Sequence, residues 1–134
     1  MKKGKIIVTI FAITALVTLF FGSKSAFAQS TITSEYTIDG YYVTGNTSFY
    51  ARYVTGRTTH VANSAKEVDV TGYYLISTYP VFGCYGTSSD YSPAAVYASP
   101  SFPSGVTGCG SKAVHTVIGS TGSWSGTSYS GYHE

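Results

Sequence analysis

The chain has 134 residues, 10% of them charged, with a net charge of +2 and two cysteines. So little charge excludes a disordered polyelectrolyte, and two cysteines are too few for a disulfide-dense mini-protein or a four-thiolate zinc site. Eight lysines and arginines are too few for a nucleic-acid footprint.

The N-terminus comes first. Lys2, Lys3 and Lys5 precede an uncharged apolar run over residues 6–21, and Ala26-Phe27-Ala28 follows as an A-x-A site. This is the layout of a secretory signal peptide. The 16-residue run is shorter than the about 20 residues that span a bilayer. Cleavage after Ala28 is expected, leaving residues 29–134 as one all-β domain, secreted to the extracellular space with no membrane anchor. Lys2, Lys3, Lys5 and Lys24 depart with the leader. The remainder sets Arg52, Arg57, Lys66 and Lys112 against Glu35, Asp39, Glu67, Asp69, Asp90 and Glu134, a net charge of −2. Nothing in that balance steers nucleic acid or anionic lipid to the surface.

Ile32, Tyr36 and Ile38 share strand parity. Tyr42-Val43-Thr44-Gly45-Asn46-Thr47 then recurs as Tyr53-Val54-Thr55-Gly56-Arg57-Thr58, 11 residues on. Gly45-Asn46 and Gly56-Arg57 read as hairpin turns, because glycine supplies the positive φ that such turns demand. The strand between them, residues 47–55, is expected to turn Phe49, Ala51 and Tyr53 to the core. In residues 67–76, Val68, Val70, Tyr74 and Ile76 are expected inward and Glu67, Asp69 and Thr71 outward. Gly72 marks a bulge or bend there, and Pro80 ends the run. Residues 81–110 read as irregular, with one short strand over residues 94–97. Residues 112–118 form a strand, residues 119–122 a turn, and Trp124 opens a last strand to about Tyr129, followed by a frayed tail at 131–134. No apolar stripe at helical spacing occurs, and residues 62–67 make one helical turn at most. Short strands with frequent turn signals predict a small antiparallel β-sandwich, or a partly open barrel.

In an exported protein, Cys84 and Cys109 are expected to pair. The bridge would close a turn-rich loop and add about 3 kcal/mol. It would tie a loop to a strand edge or join the two sheets.

No motif for chemistry stands out. His60, His115 and His133 lack metal-ligand spacing, and neither metal nor cofactor is expected. Gly122-Ser123-Trp124-Ser125-Gly126 fails as a nucleophile elbow because Trp124 holds the nucleophile position. Ser111 displaces the lysine a phosphate loop would need. A fold-assembled triad would draw on Asp90, His60 or His115 and one of many serines. Glu67 and Asp69 share a strand face, as a carboxylate pair would. No catalytic residue is expected.

The aromatic content is the strongest signal. Thirteen tyrosines, three phenylalanines and one tryptophan fall among residues 29–134. Tyrosines set among Ser, Gly and Asn make recognition surfaces, with rigid ring area beside adaptable hydrogen bonds. Trp124, Tyr129 and Tyr132 in the C-terminal run, with Tyr85 and Tyr91, are the expected ligand-binding residues. The expectation is a secreted, non-catalytic binding module for a carbohydrate, a cell-surface polymer or a surface protein. The alternatives are a secreted antagonist such as a bacteriocin-like protein or toxin, a small hydrolase, or an extracellular matrix component.

Overall fold

A computed structural model describes residues 7–11 and 28–132. Nine strands are present among these residues: β1 (Ile7–Phe11), β2 (Ala28–Thr33), β3 (Thr44–Phe49), β4 (Val54–Thr59), β5 (Ser64–Ile76), β6 (Tyr79–Ser92), β7 (Val96–Ala98), β8 (Gly108–Ile118) and β9 (Ser123–Gly131). No helix occurs among them. They form two antiparallel sheets, ordered β1-β2-β3-β4-β7 and β6-β5-β8-β9. The sheets face one another as in a β-sandwich. Most of the expected leader lies outside the described residues; of it, Ile7–Phe11 supplies β1 and Ala28 opens β2. β1 is the outermost strand of its sheet, and without it each sheet keeps four strands.

Alternation explains the interior. Val68 and Val70 of β5 and Ala113 and Val117 of β8 are fully buried, as their parity requires. An apolar cluster holds Phe49, Val54, Val68, Val70, Cys84, Val96, Ala98, Phe102 and Ala113, and a second holds Ile38, Val43 and Val117, with Trp124 packed against it. Between Ala113 and Val117 the same inward face carries His115.

The repeat has a different meaning from the one its glycines suggest. Gly45 and Gly56 lie inside β3 and β4, and the two copies run antiparallel, with Gly45 opposite Thr58 and Thr47 opposite Gly56. The turn falls between them, where Tyr50 N–H donates to the Tyr53 carbonyl at 2.8 Å and the two rings stack at 4.4 Å. The strand expected over residues 47–55 is therefore cut in two. Val54 is buried, and Ala51 and Tyr53 are only half-buried. The glycines serve sheet contact. A Cβ on Gly45 would lie 2.4 Å from the His115 ring, and one on Gly56 2.9 Å from Val68. Both positions admit only a hydrogen where the sheets close on each other.

The segment read as irregular contains most of β6, at 14 residues the longest strand among the described residues. Being an edge strand, it buries little, so its sequence shows no alternation, and its Pro80 is tolerated where one side needs no donor. Pro80 thus sits within β6, and the short strand expected over 94–97 is β7. The β5–β6 register shifts at Gly72/Tyr73, and the β5–β8 register at Tyr73/Tyr74. Val68, Val70 and Tyr74 point inward as expected, but Ile76 lies beyond the facing sheet and is exposed. The tail is partly tied down: Tyr132 N–H donates to the Cys109 carbonyl at 3.0 Å. His133 and Glu134 lie outside the described residues.

The expected disulfide is absent. Cys84 and Cys109 are free thiols. They belong to β6 and β8, the two strands that flank β5. Two strand spacings, about 9–10 Å, separate such backbones, beyond the about 7 Å a disulfide tolerates. Cys84 is packed under Phe102 and Pro100 as a small apolar side chain, with its sulfur 3.7 Å from the Pro100 carbonyl. Burial pushes its thiol up to about 11 and raises that of Cys109 as well.

Candidate functional site

The outer face of the β6-β5-β8-β9 sheet collects side chains from four separated stretches of sequence. The register sets Tyr85, Thr71, Lys112 and Tyr129 in one row across it. The next rows are Thr87, Asp69, Val114 and Thr127, then Ser89, Glu67, Thr116 and Ser125, then Tyr91, Ala65, Ile118 and Ser123. Beyond the first row, Tyr73 and Phe82 pair on the same face, and Tyr132 packs edge-on against Tyr73 with centroids 5.4 Å apart. Tyr85 and Tyr129 stand three strand spacings apart, about 14 Å, and Tyr85 and Tyr91 about 20 Å apart along β6. Rings this far apart cannot sandwich one small molecule, but they can meet successive units of an extended chain.

Between the two tyrosine-bearing ends runs a ladder of hydroxyls and two carboxylates. The Tyr85 hydroxyl donates to Asp69 Oδ1 at 3.0 Å, which fixes the ring's position. That contact raises the Tyr85 phenol above its ordinary value, since the neighbouring carboxylate disfavours a phenolate. A depression of about 200 Å³ opens near the Tyr91 end, lined by Ala65, Lys66, Glu67, Ser89, Thr116 and Ile118.

Of the five aromatic residues expected to bind ligand, Tyr85, Tyr91, Tyr129 and Tyr132 share this face. Trp124 does not. It lies on the inward side of β9, packed against Ile38, Val43 and Val117, with its ring over Gly126, where a Cβ would come within 2.4 Å. It is partly buried there. Phe82 and Ile118 belong to the face and escaped the sequence reading; Tyr73 shares its parity but is buried against Tyr132. Extending the Glu67/Asp69 parity back to Ala65 and across to Ile118 would have found one of them.

Of the residues considered for catalysis, each histidine meets a serine within the protein, and Asp90 has other partners. His115 is buried between the sheets. The Thr58 hydroxyl donates to the Glu67 carbonyl at 3.0 Å, so His115 Nδ1–H donates to Thr58 (2.9 Å) and the Ser128 hydroxyl donates to Nε2 (2.8 Å). Burial lowers its pKa from 6.5 to about 4 and keeps it neutral. His60 is buried too. Its Nε2–H donates to the Ile38 carbonyl at 2.6 Å, and Nδ1 lies 2.7 Å from the Ser64 hydroxyl. Ser64 is itself fully buried, so this Ser–His contact lacks an approach for a substrate. Asp90 accepts from Tyr91 N–H at 2.9 Å and from the Ser92 hydroxyl at 2.8 Å. Glu67 and Asp69 share the outer face as expected. Among the described residues no three of His, Cys, Asp and Glu come together as metal ligands.

Two further polar devices were not legible. Lys66 shares the inward parity of Val68 and is buried. Its ammonium donates to the carbonyls of Ala62 and Ser64 at 3.2 Å and to that of Ser92, joining β5, β6 and the preceding loop. Asp39, at a positive φ of 51°, accepts from Ser120 N–H (2.9 Å), the Ser120 hydroxyl (2.6 Å) and Thr121 N–H (2.8 Å). These bonds clamp the loop after β2 to the β8–β9 turn. No family model, curated protein or solved structure matches the chain.

Proposed function

We propose that the protein is a secreted, non-catalytic binding module whose ligand seat is the outer face of the β6-β5-β8-β9 sheet. The ligand class is an extended, hydroxyl-rich polymer of the cell envelope or a polysaccharide. One observation carries the reading: Tyr85, Tyr91, Tyr129 and Tyr132 share one solvent-facing surface, with hydroxyls and the Asp69 and Glu67 carboxylates between them. Sugar rings stack on tyrosine faces, and the intervening side chains offer both donors and acceptors. The wide separation of the rings favours a chain over a single sugar.

The test mixes residues 29–134 with bacterial cell walls and with insoluble polysaccharides, and follows both protein depletion and released soluble product. Depletion without product is expected, weakened about tenfold in the Tyr85→Ala/Tyr129→Ala variant, at about 0.5–1.5 kcal/mol per ring. Product release would make the protein a hydrolase. No depletion by any polymer would withdraw the reading.

A further inference from the structure

The β5–β6 hairpin extends beyond the body of the sandwich. Tyr74, opposite Gly108, is the last β5 residue paired with β8. Past it, Leu75 and Ile76 pair only with Pro80 and Tyr79 of β6 among the described residues, and the chain turns at Ser77, whose φ is 55°. This tip is strongly exposed and apolar: Tyr79 is 74% exposed, Phe82 62% and Ile76 55%, with Leu75 close behind.

Two features identify what such a tip meets. First, it is apolar on both faces. Ile76 and Tyr79 are cross-strand partners on one side; Leu75 and Pro80 are partners on the other, where Phe82 follows beside Tyr73. A lipid phase meets both faces of a hairpin at once. Second, residues 70–89 form a run of 20 with no charged residue and no histidine, bounded by Asp69 and Asp90. The run itself supplies no cation to anionic headgroups, and no charge within it has to be dragged into a bilayer.

We propose that this tip is a membrane-interface finger that seats in the headgroup–acyl boundary of an electrically neutral bilayer. Depth is limited by the backbone. The outer edges of the two-stranded arm carry N–H and C=O groups that hydrocarbon would strip of water, so the finger stops at the interface. Tyrosine belongs at that level, with its ring among acyl chains and its hydroxyl among headgroups. The finger goes beyond polymer binding on the sheet face and does not depend on it.

The experiment is co-sedimentation of residues 29–134 with extruded phosphatidylcholine vesicles, with and without phosphatidylglycerol, at low and high salt, without polymer. Binding to phosphatidylcholine alone is expected. Salt and phosphatidylglycerol should change it less than twofold. Ile76→Asp and Tyr79→Asp should each lower partitioning at least about tenfold, while Trp124 fluorescence and the unfolding midpoint stay unchanged. Failure to pellet with neutral vesicles would overturn the proposal. So would binding that needs phosphatidylglycerol, or binding indifferent to both substitutions. Sedimentation velocity without lipid is the last arm: a concentration-dependent dimer abolished by Tyr79→Asp would give the patch to a second copy and likewise overturn it.

Discussion

The space between the sheets and the outer face of β6-β5-β8-β9 invert the usual placement of polar and aromatic groups. Inside lie His115, Thr47, Thr58, Ser111, Ser128 and Ser130, all buried, while Tyr85, Tyr91, Tyr129 and Phe82 stand outside. The interior tolerates this because nearly every hydroxyl is spoken for. Thr47 meets Ser111 at 2.8 Å and also donates to the Thr55 carbonyl, and Thr58, His115 and Ser128 form a continuous chain. The Ser130 hydroxyl is the one buried side-chain oxygen without a partner among the described residues. Small hydroxyl side chains also let the sheets approach closely enough that Gly45 touches the His115 ring. The outer rings, by contrast, keep much of their surface towards solvent. Interior residues should therefore govern stability, and outer residues binding.

Trp124 is the strongest test of that division, because its sequence context resembles the outer tyrosines and its position does not. Trp124→Ala should cost about 3 kcal/mol, read as a lower urea midpoint, by emptying the space over Ile38, Val43 and Val117. A stable variant that has lost polymer binding would move Trp124 to the outside group.

An acid titration separates the regions next. The folded-state pKa of His115 is depressed from 6.5 to about 4. Its neutral, hydrogen-bonded form therefore contributes stability that is fully present above pH 6.5 and is lost as pH falls towards 4. The loss should reach about 3 kcal/mol by then. His115→Gln should flatten the stability profile across that window, and an unchanged slope would point to another group.

A smaller effect is expected at Asp39. Hydrogen bonds from Ser120 and Thr121 hold its carboxyl far below its ordinary value of 3.8. Its contribution is present above that value and fades only in stronger acid, below the His115 window. Asp39→Asn should remove this last acid sensitivity while leaving the profile between pH 6.5 and 4 alone. The smallest effects belong to the free thiols and the outer rings. Reductant should leave the unfolding midpoint where it was, and intact mass should show both cysteines reduced; a drop in midpoint would restore a cross-link. Tyr129→Ala should shift stability by less than about 1 kcal/mol, and a larger loss would mean that the ring is structural.

Much of the fold was readable where one strand face is buried. The Glu67–Val70 alternation, the bulge at Gly72, the β8 strand and the turn at residues 119–122 all follow from period-two patterning, because burying one face imprints it on the residues. β6 was not readable, since an edge strand open to water on most positions carries no such imprint. The glycines of the repeat misled for a related reason. A glycine needed for positive φ and a glycine needed for lack of bulk look alike in sequence, and only the His115 and Val68 side chains opposite tell them apart.

The candidate site divides the same way. Composition singled out tyrosine among small polar residues, and four of the five chosen aromatics lie on one face. Which residues share a face with them depended on β6 pairing with β5 and β9 with β8, contacts made between distant stretches of chain. The cysteines show the limit most plainly. Their number and the expected export made a bridge the natural expectation from sequence. Whether two sulfurs can meet is a matter of distance, and β5 runs between them. Period-two burial sets strand faces locally, residue by residue. Strand order, the depth of Lys66 and His115, and the reach of the β5–β6 arm past the sandwich arise only when the sheets assemble, because each is a relation between elements and not a property of any one of them.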